Sequence, residues 1–529
     1  MTRRAGPWSA LFPLCLGFFM VMLDISVVNI AVPSMVRELG TELNAVIWVT
    51  SVYLLAYAIP MLSASRLGDR VGPKRVFVAG LLVFTGASLW CGLSSSVEVL
   101  ITARAVQGFG AALMTPQTTA FITHLFPPDR RGPAMGVWGS VAGIAMVTGP
   151  LLGGVVVDQL GWEWIFFVNV PVGLLALVLT LLLVPDWQPK NAHRFDLLGI
   201  LLSGAGMFCV VFGLQNGQRY EWSTVGAGIG VFDIIGTGVL LLVGFVLWQR
   251  MNRRAPLLPL QVFDNRDFSA GSLSAVAVGF VMTSMPLLLV IYAQSVLGLS
   301  PTDTGLLIAP MAVLSGSAAP FVGRLSDRMN PKYLLMFGLL ALSTGLGVIA
   351  LLITPVSSPS IVLPGLLLCG LGVGFIFSPM SNVTIGSVDR ELVGSASGIF
   401  NTARQTGGVL GSAAVGALLQ AQITASTARR ADEAALALPA EFRQPFVSGF
   451  ADAGGGIGRF GDDAPPLPPD LPPAVADQAR QLATDVLQNG LTDAVKVSLL
   501  LPIGVLLLGL LSAAAMRTTR HRSPVTAAD

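Results

Sequence analysis

Apolar runs of about twenty residues, separated by short polar loops, set the plan of this chain. They begin near Ser9, Ala45, Val76, Val97, Ala134 and Glu163, then near Asp196 and Val225. The rest begin near Phe268, Asp303, Tyr333, Ile361, Leu392 and Lys496. A helix of about twenty residues spans the ~30 Å core of a bilayer, so the pattern predicts about fourteen membrane helices. In lipid each backbone polar group needs a partner within the protein, and long apolar segments meet that need as helices. The predicted fold class is therefore an all-α polytopic membrane bundle. The first run continues to Pro33, contains Asp24 and is followed by no small-residue cleavage site. It reads as a retained helix rather than a signal peptide.

The runs fall into two matching sets. RLGDRVGPK at 66–74 returns as RLSDRMNPK at 324–332, each copy between two apolar runs. Setting the repeats in register leaves six spans before Pro185, six after the linker and two between them. The predicted organisation is a six-helix bundle over 1–185, an inserted helix pair with linker over 186–260, and a second six-helix bundle over 261–529. Duplicated bundles of this kind are common in secondary transporters, whose substrate site lies where the repeats meet. Residues 421–495 break the pattern with the Pro-rich string DDAPPLPPDLPPA and ten acidic against five basic residues. The stretch around 474–497 has helical periodicity, with Val475, Ala479, Leu482, Val486 and Leu491 on one side. A Pro-rich turn and a short helix lying on the outer face are expected, either as a tolerated insertion or as a cap over the substrate path.

Charge orients the bundle. With the N-terminus inside, about 21 Lys and Arg fall on inside loops and tails, against Arg37 and Arg219 outside. Both termini are then cytoplasmic. Composition agrees with a membrane chain: 53% hydrophobic and 11% charged, where a soluble protein carries about a quarter charged residues. The net charge of +2 gives no reason to expect nucleic acid. His124, His193 and His521 are too scattered for a metal site, and Cys15, Cys91, Cys209 and Cys369 read as buried small hydrophobes. No Gly-Lys dipeptide occurs, so the phosphate loop of an ATP-driven pump is missing. No nucleophile triad or HExxH suggests an enzyme. Uphill transport would draw on an ion gradient, with no cofactor.

Charges inside the membrane are expensive and mark function by default. Asp24 lies about 13 Å from Pro33, and Arg104 about 10 Å from Val97, both measured from the outer side. At matched depth they could form a pair or share a water cavity. Asp24 could carry a coupling proton or meet a cationic substrate; a static ion pair is the alternative. Asn29, Tyr53, Tyr57, Gln107, Gln117, Tyr292 and Phe377 outline a candidate cavity, although such aromatics, Trp138 among them, more often serve packing. Asp233 lies about 13 Å into the inserted pair and is expected to make a structural or lipid-facing contact. Arg404, about 18 Å from the inner end of its span, could close the inner gate or bond to carbonyls.

These residues resemble the major facilitator superfamily, specifically its fourteen-span drug:proton antiporter family, over nearly the whole chain except the acidic loop. SRLGDRVGPKR resembles the family's loop between the second and third spans, with Ser65 where Gly is usual. The resemblance implies a cytoplasmic gate built from Gly68, Asp69, Arg70 and Arg75, with Asp327 and Arg328 as the weaker second copy. RAVQGFGAA resembles the fourth-span motif, whose Arg, here Arg104, is implicated in proton transfer. GIAMVTGPLLGG resembles the antiporter signature and implies a leak-limiting hinge at Gly149, Pro150, Gly153 and Gly154. LDISVVNIAVP resembles the first-span motif and carries Asp24. GWEWIFFVNVP resembles the sixth-span start, with Glu163 where Arg is usual.

The expectation is a monomeric, proton-coupled exporter of amphipathic, cationic or aromatic drugs in a bacterial inner membrane. It would work by alternating access, with small amphipathic solutes, protons and membrane lipids as its partners. A dedicated exporter or flippase of a lipid or endogenous metabolite stays open as the alternative, and a non-transporting scaffold or sensor as the less favoured one.

Overall fold

A computed structural model describes residues 6–188, 196–226, 228–252, 256–326, 328–388, 392–452 and 473–517. The first half contains α1 (Pro7–Glu38), α2 (Leu43–Val71), α3 (Pro73–Gly92), α4 (Val97–Leu125) and α5 (Pro128–Leu160). Its sixth span is α6 (Trp164–Phe167) followed by α7 (Asn169–Leu183). The inserted pair is α8 (Leu197–Asn216) and α9 (Val231–Met251), joined through the short strands β1 (Thr224–Gly226) and β2 (Ile229–Gly230). The second half contains α10 (Arg266–Ile291), α11 (Pro301–Ser326), α12 (Pro331–Leu352), α13 (Leu363–Gly386) and α14 (Val393–Ala435). It closes with α15 (Ala440–Asp452) and α16 (Pro473–Ala514). Among the described residues thirteen helices are long and apolar enough to cross a membrane. The remaining helix at a predicted span, α5, is 33 residues long and packs along α1 and α11.

The repeat has a packing explanation. Gly72, at φ +108°, ends α2, and Pro73 then starts α3 where its missing N–H costs nothing. Lys74 reaches across to the end of α7 and donates to the carbonyls of Leu181 (3.0 Å) and Val184 (2.6 Å). In the second copy Lys332 donates to Ala514 (2.8 Å) and Met516 (2.7 Å) at the end of α16. Each repeated lysine thus caps the last span of its own half, satisfying orphan carbonyls at a negative helix end. Seven residues after Pro73 and Pro331, Gly80 and Gly338 let the next helix approach. A Cβ there would come within 2.8 Å of Gly110 O and 2.9 Å of Gly372 O. Gly68 faces the side chain of Gln117 on α4 with no room for a Cβ. The second copy places Ser326 there, bonded at 2.9 Å to the shorter Asn382. The two halves fill one position with opposite volumes.

The inserted pair lies beside the seam between the halves, α8 touching both α2 and α14. Asp196 fastens it. Its carboxylate accepts from Gly199 N (2.9 Å) at the start of α8, and from Trp248 Nε1 (2.8 Å) and Gln249 Nε2 (2.7 Å) on α9. Burial pushes this carboxyl up, but those bonds and one from Asn252 outweigh it and hold it below the usual carboxylate value. Asp233 is not mid-membrane. The hairpin at 224–230 delays α9 to Val231, so Asp233 falls in the first turn and accepts from Gly230 N at 2.8 Å. It is an exposed helix cap.

The 421–495 segment also differs from expectation. Its predicted helix does not lie flat; it forms the first turns of α16, while α14 runs on to Ala435. Ala431, Ala435, Leu438, Phe446, Phe450, Ala479, Ala483 and Val486 pack together between α14, α15 and α16. Arg430 grips Asp493 at 3.0 and 2.7 Å. An apolar face at helical spacing on both arms makes a projecting helical cap more stable than a surface helix. The Pro-rich string lies outside the described residues.

The halves meet through α5 against α11 and α2 against α14. Their close contacts run from the far face, opposite the Arg66–Arg75 loop, to mid-depth. Thr302 donates to Asp158 at 2.8 Å, Gln294 donates to Ile30 O at 3.1 Å, and Ser51 and Ser412 share a bond of 2.9 Å. Toward the basic face, Ser65 on α2, Thr123 on α4, Ser317 on α11 and Asn382 on α13 are exposed. These bonds between the halves lie on the far face and at mid-depth. A Ser51→Cys, Ser412→Cys variant should therefore cross-link readily under mild oxidation. Transport should stop while the disulfide holds and return on reduction, as read in reconstituted vesicles. A locked protein that still transports would show that this seam does not open.

Candidate functional site

Asp24 sits midway along α1, fourteen residues from its end at Glu38 and only 2% exposed. An isolated carboxylate at that depth would be prohibitively costly, and the structure surrounds it with donors. Arg104 Nη1, from α4, donates to Asp24 Oδ2 at 2.5 Å. Gln107 Nε2, one turn on, donates to Oδ1 at 2.9 Å. Asn169 Nδ2, at the start of α7, reaches the same oxygen at 3.3 Å. Ser88 on α3 accepts from Gln107 (3.2 Å) and Asn169 (3.1 Å) and donates to Phe166 O (2.9 Å). Four helices of one half thus converge on one carboxylate.

Arg104 is fully buried and equally constrained. Its Nε donates to Val49 O at 3.2 Å and its Nη1 also to Gln107 Oε1 at 2.8 Å. The guanidinium carbon lies 4.0 Å over the ring of Tyr53 and 5.6 Å from that of Phe166. Arg104 Nη2 and the Tyr53 hydroxyl have no hydrogen-bond partner. Charge and counter-charge are matched here, but Arg104 Nη2 is left over as a donor among the described residues.

Tyr53 leads toward the seam. Its ring centroid is 6.2 Å from that of Tyr57, one turn closer to the basic face. The Tyr57 hydroxyl shares a 3.0 Å bond with Thr115 and stands at the side chain of Gln405 on α14. Beside it is Arg404, whose guanidinium carbon is 5.9 Å from the centre of the Phe377 ring. The Arg404 backbone is pressed against Gly279 of α10, where a Cβ would collide with its carbonyl. Arg404 lies well away from the inner end of its helix. Eleven residues into α14, about 17 Å from its start, it is a mid-depth cation at the seam of the halves.

Other predicted residues fall elsewhere. Asn29 turns back to Ile25 O at 3.2 Å on its own helix. Tyr292 is buried in a π-helical turn at the far end of α10 and donates to Thr354 O at 2.9 Å, away from the cavity. Gln117 closes on Gly68 and donates to Ala64 O at 2.8 Å, which makes it a packing residue of the α2–α4 contact. Trp138 stacks on Phe18 at 4.4 Å. Periodicity gives depth but not azimuth for such residues, which is why they were grouped with the cavity.

In the repeated loop Asp69 and Arg70 end α2, and Arg328 sits in the turn closing α11. Arg75 approaches Asp186 only to 3.9 Å, with both side chains more than half exposed, and contributes little. Asp327 lies outside the described residues. Arg66 of this loop donates to Pro256 O in the linker to the second half. Burial pushes its guanidinium down, opposed by the charges of Asp196 and Asp69. Of the hinge residues, Gly154 and Pro150 sit at the seam between the halves, and Gly149 and Gly153 pack within the first half. Gly149 meets Ser26 and Gly153 meets Val27 on α1, Gly154 meets Pro301 O on α11, and the Pro150 carbonyl meets Gly305.

Asn169, Ser88, Gln405 and Arg66 were missed from sequence. Asn169 and Ser88 are neutral polar residues inside apolar runs, and depth counting could have placed both beside Asp24.

The family model described as Major Facilitator Superfamily matches residues 14–412. The chain belongs to the Major Facilitator Superfamily. It is a membrane transporter and not an enzyme. It is 46% identical to an uncharacterised MFS-type transporter of Mycobacterium tuberculosis, over 85% of this chain and 78% of that one. It is 34% identical to the tetracenomycin C resistance and export protein of Streptomyces glaucescens, over 79% of this chain and 77% of that one. In fold it is similar to a crystal structure of a bacterial homologue of the human lysosomal transporter Spinster, in an inward-facing, unoccupied conformation. The TM-score is 0.59 at 16% identity, covering 96% of this chain and 97% of that one. Within this superfamily fold, the Asp24 cluster belongs wholly to the first half, and Arg404 is the second half's contribution at the same seam.

Proposed function

We propose that this transporter exports amphipathic aromatic compounds in exchange for protons, with Asp24 as the proton site. The observation that carries the reading is the closed cluster around Asp24: one carboxylate, one guanidinium and two amides, buried near mid-membrane. A proton on Asp24 removes the charge that Arg104 binds. The guanidinium then needs another partner, so protonation and a change in the α1–α4 contact are coupled. Tyr53 and Tyr57 lie between this cluster and Arg404 at the seam, so the proton and the cargo meet at different ends of one connected series. The likeness to a resistance and export protein supports the cargo class. The basic face is cytoplasmic in this reading, supported by the excess of Lys and Arg in its loops, and the membrane is a bacterial inner membrane. Alternating access opens the Ser51–Ser412 seam as the basic face closes.

The test is purified protein in proteoliposomes with an imposed pH gradient, screened with aromatic dyes of both charges. Dye movement that depends on the gradient and is accompanied by counterflow of protons is expected. Dye movement indifferent to the gradient would reject proton coupling, and no dye movement at all would reject export of this class.

A further inference from the structure

We propose that the exported compound carries an acidic group, and that Arg404 binds this group while Tyr57 and Phe377 flank its aromatic body. The inference rests on the export reading above. Three charged side chains lie near mid-depth: Asp24, Arg104 and Arg404. Asp24 is consumed by Arg104, Gln107 and Asn169. That leaves one guanidinium, Arg404, and among the described residues no carboxylate pairs with it. Such a charge is costly in the membrane unless something anionic answers it. Its neighbours are donors as well. Gln405, 6% exposed, has an Nε2 with no hydrogen-bond partner by distance and angle among the described residues, and the Tyr57 hydroxyl stands at its side chain. A site that holds a guanidinium and an unanswered amide donor, with no carboxylate paired to it among the described residues, is more complementary to an anion or an oxygen acceptor than to a cation.

The flanking groups set the shape. Phe377 lies 5.9 Å from the Arg404 guanidinium, and Tyr57 approaches from the other half. A flat aromatic acid, such as a phenol of low pKa, an enol or a carboxylate, would place its oxygen at Arg404 and its ring between the two. It would also bridge the halves, paired with Arg404 on α14 and flanked by the ring of Tyr57 on α2. Gly279 and Gly407 hold α14 tightly to α10, so the guanidinium moves with the second half as a unit.

The experiment compares two dyes that share a xanthene ring and differ in charge. Fluorescein is the anion and rhodamine 6G the cation. Each is offered to proteoliposomes of the full chain under a pH gradient and quantified by extraction after filtration. Wild type is expected to move fluorescein in preference. Arg404→Gln should lower fluorescein transport about tenfold or more, because a charge-assisted bond is lost, and should raise the rhodamine-to-fluorescein ratio. Arg404→Lys should keep a substantial part of the rate with a raised KM. Charge selectivity is the deciding readout, since a merely structural Arg404 would lower both dyes together. Rhodamine moved in preference, with Arg404→Gln leaving the ratio unchanged, overturns the acidic-cargo inference and leaves export standing. Neither dye moved by wild type overturns both.

Discussion

Asp24→Asn is expected to abolish gradient-driven transport, reducing it to the level of protein-free vesicles, while the protein stays folded in the membrane. Asparagine keeps the shape and can still accept from Gln107 and Asn169, but it cannot carry the proton or balance Arg104. Breaking a buried pair by neutralising one partner costs about 3–5 kcal/mol when the remaining charge is left bare. Here Gln107 Oε1, Val49 O and the Tyr53 ring still hold the guanidinium, so the loss should fall below that range. A second variant separates a proton site from a static ion pair. Asp24→Asn combined with Arg104→Gln removes both charges and should recover thermal stability in detergent without recovering transport. If the double variant transported normally, the pair would be scaffolding and the proton would travel elsewhere.

Gly154→Val is expected to have the next largest effect. Gly154 on α5 faces the Pro301 carbonyl and Thr302 of α11 with no space for a Cβ. The neighbour is backbone, which cannot rotate away as a side chain can. α11 must move off α5 where the far face is sealed, at a packing cost of about 1–3 kcal/mol. The consequence is a seal that closes incompletely. In cargo-free proteoliposomes an imposed pH gradient should collapse several-fold faster than with wild type, and net export should fall in step. Gly86→Val provides the control, because a Cβ at Gly86 on α3 meets nothing within 4 Å. Equal leak rates for the two variants would remove the seam at Gly154 from the account.

Much of this could be read from sequence because lipid imposes strong rules. The apolar runs, the repeat around Arg66 and Arg324, and the two matched depths of Asp24 and Arg104 all follow from length and charge. What was not legible depends on azimuth and on helix starts. Arg404 lies at nearly the depth that counting gives, but its packing on Gly279 of α10 and its place beside Phe377 depend on azimuth, which counting cannot supply. Asp233 was placed too deep, because the hairpin before α9 leaves little trace in hydropathy. Lys74 and Lys332 were seen as repeated residues, but their partners at the ends of α7 and α16 lie about a hundred and eighty residues away at most and carry no motif. Asn169 escaped because neutral amides do not announce themselves as charges do, although Asp24 needs its donor.

The central claim is that Asp24 holds the proton exchanged for cargo. The direct measurement adds the dye that wild type transports to purified protein in weakly buffered solution and follows pH with an indicator. The account predicts proton release by wild type on binding, and none by Asp24→Asn in the same detergent at matched dye occupancy. Equal release from both proteins would contradict it.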